Sequence, residues 1–164
     1  MGGGILPCAV HNGQLFFLLG KERGRRGGWS DFGGSREGTE TPRQTAIREG
    51  AEELDGFLGV GQVLSDRVRD NHLLTVRIRG FSTYVFQIPY DPYLPDYFAG
   101  CSALMKKSLP QHIGKKGLFE KAAIAWYTED QLRASYAVLR PFYREVARTV
   151  LRSAQRIASK LRRM

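Results

Sequence analysis

Cysteine, histidine and long apolar runs are all scarce in this chain, and each scarcity removes a class of protein. Two cysteines, Cys8 and Cys101, with no C-x-x-C spacing exclude a disulfide scaffold and a cysteine-built zinc site. Both read as small buried hydrophobes in a reducing compartment. Three histidines, His11, His72 and His112, lie too far apart for metal-ligand spacing. No apolar run approaches the roughly 20 residues that span a bilayer, and the mean hydropathy is −0.33. The opening MGGGILPCAV has no basic segment before its apolar stretch, and Leu6 stands where an N-myristoylation signal requires Ser or Thr. The expectation is a cytoplasmic protein with one globular domain in its 164 residues, without repeats or low-complexity tracts.

Acids are nearly missing from the C-terminal fifth. Residues 133–164 carry nine bases and one acid, Glu145, which accounts for +8 of the net charge of +9. Phe142, Val146, Val150, Ala154, Ile157 and Leu161 recur there at helical spacing after Pro141, predicting one amphipathic helix with a basic outer face. Bases four apart drift about 40° per step, so they wind as a band. Such a band fits a solvated face, a polyanion such as RNA, a partner helix groove, or a membrane surface.

Apolar runs at residues 5–10 and 14–19 flank Asn12-Gly13, the strongest short hairpin signal. Residues 20–28 (GKERGRRGG) read as a mobile basic loop, and residues 29–32 as a short strand before a glycine-rich turn. Thr41, Pro42 and Gln44 form a capping-box start for a helix over about residues 42–54. Residues 58–64, 72–88 (two strands broken near Gly80) and 122–128 are β-branched and aromatic, predicting strands. A short helix is expected over residues 97–107 after a loop, and Thr128 caps another.

On the helix of residues 42–54, Glu49, Glu52 and Glu53 fall within about one turn. Like charges at that spacing repel, and they sit at the helix end where the macrodipole disfavours anions. A hard divalent cation, Mg²⁺ or Mn²⁺, resolves that conflict with oxygen ligands. Arg48 is placed to reach back to Glu40 and hold the preceding loop.

The stretch GSREGTETPRQTAIREGAEEL, residues 34–54, resembles the signature of the Nudix hydrolases, with Gly34, Glu40, Arg48, Glu49, Glu52 and Glu53 matching in type and spacing. WSDFGG before it and GLFEKAAIAWYTEDQL at residues 117–132 are similar to the family's flanking segments. The resemblance implies an α+β fold, an α/β/α sandwich with a central mixed sheet over residues 1–132, with the basic helix of residues 133–164 packed on or extending the same domain. It implies a metal-dependent pyrophosphohydrolase cleaving a nucleoside diphosphate linked to another group. Messenger RNA 5′-cap cleavage, an RNA-binding Nudix-like module, and inositol pyrophosphate or dinucleoside polyphosphate hydrolysis are the alternatives. Carried over by position, Glu49, Glu52, Glu53 and the Gly33 carbonyl hold the metal, one of the three or Glu120 is the general base, with Glu120 alternatively a further metal ligand, and Glu40 with Arg48 is a scaffold ion pair. Phe16, Arg23, Arg25, Arg26, Tyr84 and Phe86 are the expected substrate contacts. Two positions depart from the signature: Gly50 replaces an aliphatic residue, and Asp55 replaces the closing glycine, with Gly56 one residue late.

Overall fold

The computed structural model describes residues 1–24, 27–114 and 118–161. Strand β1 (Gly2–His11) turns into β2 (Gln14–Glu22) through Asn12 at φ 50° and Gly13 at φ 75°, the left-handed pair that a two-residue hairpin demands. Short strands β3 (Trp29–Ser30) and β4 (Phe32–Ser35) lead into helix α1 (Pro42–Glu53). Helix α2 (Gly61–Asp70), strands β5 (His72–Ile78) and β6 (Phe81–Gln87), and helix α3 (Leu94–Ser108) follow. Strand β7 (Lys121–Thr128) precedes helices α4 (Glu129–Ala134), α5 (Tyr143–Arg152) and α6 (Ala154–Leu161).

The seven strands make one mixed sheet in the order β3-β2-β1-β6-β5, with β4 paired to β1 and β7 to β2. Among the described residues β1 and β6 pair in parallel, and the other paired strands are antiparallel. Strand alternation divides the core into two layers. Leu6, Cys8, Phe17, Leu19 and Val85 face α5 and α6, whereas Ile5, Leu18 and Phe86 face α1, α2 and α3. Helices therefore cover both faces, as an α/β/α sandwich requires.

Helix α1 starts where the capping box places it, with Thr41 Oγ1 accepting from Gln44 N and the Gln44 side chain accepting from Thr41 N. Thr128 and Gln131 repeat the device at α4.

Four expectations are corrected. Residues 58–64 are not a strand, because Leu64 and Val68 are buried four residues apart while Val60 and Val63 are about 60% exposed. That period belongs to a helix, and α2 begins at Gly61. The C-terminal helix is two helices, broken at Ser153, whose N–H bonds to Thr149 O and Val150 O. Val146, Val150, Ala154, Ile157 and Leu161 still form the buried stripe. Phe142 leaves it and lies 43% exposed, its ring 5.7 Å from that of Phe81. Cys8 is buried as expected, but Cys101 is exposed. Among the described residues no helix is long and apolar enough to cross a membrane.

Candidate active site

The C-terminal half of α1 lies beside the β4 backbone, and that neighbourhood gathers the acids. A Cβ on Gly34 would fall 2.4 Å from the Glu49 carboxylate, so a bare backbone at this position is what lets the carboxylate lie against β4. Arg48 organises the outer side. Its Nε donates to Glu40 Oε1 (2.9 Å) and its Nη2 to Ser35 O (3.1 Å), which pins the 35–40 loop to the helix as the sequence suggests. Its Nη1 reaches Glu49 Oε1 at 3.0 Å and Glu52 Oε2 at 3.3 Å. Hydrogen bonding from Arg48 holds the Glu40 carboxyl down at about 2. Burial raises Glu49 despite the same guanidinium.

Glu53 points the other way, into the sheet. It is 5% exposed, accepts from Gly33 N at Oε2 (2.8 Å), and contacts Lys121 Nζ at Oε1 (2.9 Å). Burial pushes its carboxyl up to about 8, with the Lys121 ammonium pulling against that shift. Lys121, fully buried at the start of β7, also bonds Glu22 Oε1, and Glu22 accepts from Arg140 Nη1 at 2.8 Å. Asp31, 1% exposed, accepts from Thr83 Oγ1 at 2.6 Å, and desolvation raises it to about 6.

The two departures from the signature have structural answers. At Gly50 a Cβ would fall 2.3 Å from Ile5 Cδ1, so Ile5 from β1 fills the space that an aliphatic residue on the helix would take. Asp55 adopts φ 49° in place of the glycine, with Gly56 at φ 74° after it. Its Oδ1 accepts from Phe119 N (2.8 Å), and Arg23 Nε donates to Phe119 O (2.6 Å). Phe119 is thus held from both sides at φ 45°, immediately before Glu120. The charge of Glu120 contributes to raising both Glu49 and Asp55.

Among the described residues no group of three or more His, Cys, Asp or Glu side chains stands in metal-holding geometry, since Arg48 and Lys121 draw the acids onto themselves. The donor chemistry nonetheless fits a hard divalent cation: Glu49 and Glu52 are partly exposed carboxylates that share Arg48 Nη1, and Glu49 lies against the Gly34 backbone.

The expected substrate contacts do not converge there. Phe86 is fully buried core, which rules out a contact at the surface. Phe16 packs on Tyr90 at the far end of β2, six residues or about 20 Å from Glu22. Tyr84 lines a separate cavity with Arg43 and His72. Arg23 serves the Phe119 backbone, and Arg25 and Arg26 lie outside the described residues. Sequence reasoning missed instead a cavity of about 310 Å³ lined by Gly33, Gly34, Arg79, Phe81, Arg140 and Phe142. The Arg140 guanidinium lies 4.7 Å from the Phe142 ring centroid. These residues come from three separate segments and carry no common spacing. The missed signal for Lys121 was a lone base opening an apolar strand.

The basic band is largely engaged in the structure: Arg144 donates to Ala137 O, Arg148 lies over the Tyr136 ring, and Lys160 Nζ donates to Leu73 O. Arg162 and Arg163 lie outside the described residues.

No protein-family model matches the sequence, and no curated protein does either. Solved structures do match, and they define the fold as that of the Nudix hydrolases. An Ap4A hydrolase from C. elegans in a binary complex has a TM-score of 0.58 at 14% identity, covering 98% of this chain and 99% of that one. RenU, a Nudix hydrolase from M. smegmatis, gives 0.52 at 16% identity over 94% and 85%. A bifunctional NMN adenylyltransferase/ADP ribose pyrophosphatase from Francisella tularensis, complexed with AMP and a Mn ion, gives 0.52 at 14% identity over 92% and 41%.

Proposed function

We propose that this chain is a Mg²⁺- or Mn²⁺-dependent pyrophosphohydrolase acting on a nucleoside diphosphate linked to another group. The observation that carries the reading is the meeting of Glu49 with the bare Gly34 backbone, with Glu52 joined to Glu49 through Arg48, beside a cavity that offers two arginines and two phenylalanines. Glu49 and Glu52, with the Gly33 carbonyl adjoining, are the residues to hold the metal, while both Glu53 oxygens are already engaged by Gly33 N and Lys121 Nζ. When bound, the cation would neutralise pyrophosphate charge and acidify a water. Arg140 and Arg79 supply positive charge to the diphosphate, and Phe81 and Phe142 supply faces for a nucleobase. Glu120, positioned by the Asp55 and Arg23 bonds to Phe119, takes the proton from a water as its oxygen attacks phosphorus. The anhydride P–O bond breaks as that bond forms, releasing two phosphate-bearing products.

The neighbours with printed activities, an Ap4A hydrolase and an ADP ribose pyrophosphatase, support the choice of nucleotide substrates for a first test. A panel of dinucleoside polyphosphates, nucleotide sugars, ADP-ribose, inositol pyrophosphates and capped RNA, run with Mg²⁺ or Mn²⁺ and with product identification, should show release of a nucleoside monophosphate from at least one nucleotide. Glu52→Gln, at a partly exposed position, should abolish that release with the circular dichroism spectrum unchanged. Full activity in Glu52→Gln would remove the assignment.

A further inference from the structure

Behind Glu49 and Glu52 lies a second charge cluster, in which Lys121 and Glu53 are buried and Glu22 is partly exposed. Its centre is Lys121, whose ammonium touches Glu53 and Glu22 at once. The niche is built for it: a Cβ on Gly20 would come within 3.0 Å of Lys121 Cγ and 2.8 Å of Phe32 Cε1, so glycine at this β2 position makes room for the lysine stem. Glu22, paired across from Lys121 in the sheet register, is fixed in turn by Arg140. Glu53 is fixed on its other oxygen by Gly33 N. Asp31, also buried, adds a negative charge that is felt from Lys121 and Arg140.

A buried ammonium shared by oxygens from two carboxylates occupies the position that a cation with carboxylate ligands would take. We infer that Lys121 is the resident cation of this site, standing at Glu53 and Glu22 where a divalent ion would otherwise bind, so that Glu53 is a positioning residue for Gly33 rather than a metal ligand. The exchangeable ion is then confined to Glu49 and Glu52, on the solvent side. The inference deepens the proposed function and rests on that reading only for the outer ion.

Bound Mn²⁺, counted from the loss of the free-ion electron paramagnetic resonance signal, together with unfolding midpoints measured with and without Mn²⁺, tests it on the full chain. Lys121→Met should bind about one more Mn²⁺ per chain than the wild type and show a larger rise in midpoint on adding the metal, because the ion replaces the lost ammonium. Glu53→Gln should bind as many ions as the wild type, with affinity changed less than about threefold. Loss of an ion in Glu53→Gln, or an unchanged count and thermal shift in a folded Lys121→Met, would overturn it. Should Lys121→Met fold neither alone nor with Mn²⁺, the Lys121→Met/Glu53→Gln double variant decides. A wild-type count there supports the inference, and a lost ion refutes it. A wild type that binds no Mn²⁺ sinks the proposed function instead, and the gain or absence of an ion in Lys121→Met still judges Lys121.

Discussion

Gly50 offers a stability experiment whose sign depends on one neighbour. On an exposed helix, Gly→Ala gains up to about 1 kcal/mol from backbone entropy. At this position the new methyl meets Ile5, with Cδ1 at 2.3 Å and Cγ1 at 2.6 Å, and Ile5 is itself fully buried. Forcing an extra carbon into a filled core costs typically about 1–3 kcal/mol. Gly50→Ala should therefore destabilise the wild type by about 0–2 kcal/mol, the difference between those two effects. Ile5→Ala removes both clashing atoms at a cost of about 2–5 kcal/mol and leaves a cavity at the same spot. In that background Gly50→Ala should stabilise by about 1 kcal/mol, since the propensity gain is realised without the clash. The coupling between the two sites is then about 1–3 kcal/mol, well outside the additivity expected of independent positions. Urea unfolding followed by the fluorescence of Trp29 and Trp126 measures all four corners of the cycle. If Gly50→Ala raises stability equally in both backgrounds, Ile5 does not fill the place of the missing side chain.

Asp55→Asn keeps an acceptor for Phe119 N and should retain activity on whichever nucleotide is cleaved, whereas Asp55→Gly releases that bond and should lower kcat at least about tenfold by freeing Glu120; equal rates in the two variants would remove the clamp. Burial of Asp31 holds its proton up to about pH 6, while the unfolded chain releases it near 3.8. The native state then binds the extra proton between those values, so this residue's contribution to stability falls as pH rises through the window, by at most about 3 kcal/mol. Asp31→Asn should accordingly gain on the wild type in urea melts between pH 4 and pH 7, and a constant difference would contradict the buried-charge account. With its thiol pushed up to about 12 by burial, Cys8 should resist Ellman's reagent in the native protein while the exposed Cys101 reacts at once; two fast thiols at neutral pH would show the β1 core to be open.

The hairpin, α1 with its capping box, strands β5 to β7 and the buried stripe of α5 and α6 were all legible in the sequence, because turn chemistry, side-chain capping and apolar period act within a few residues. The same holds for the Arg48 to Glu40 tie, where both residues belong to one short motif. Residues 58–64 misled because β-branched composition speaks more weakly than the four-residue spacing of Leu64 and Val68. The break at Ser153 leaves no mark, since neither Pro nor Gly signals it.

What the sequence determined by itself was the acid cluster and its loop and helix, a local object of 20 or so residues. Tertiary structure alone decided what surrounds it. Whether Gly50 is a defect or a fitted socket depends on Ile5, 45 positions away, and whether Asp55 is a flaw or a clamp depends on Phe119, 64 positions away. Glu53 looks identical to Glu52 in the chain, yet one meets solvent and the other meets the ammonium of Lys121, because a helix turns neighbouring side chains about 100° apart and only the sheet supplies a buried side. Charge in a folded protein is valued by its surroundings, and those are assembled from segments that no local pattern connects.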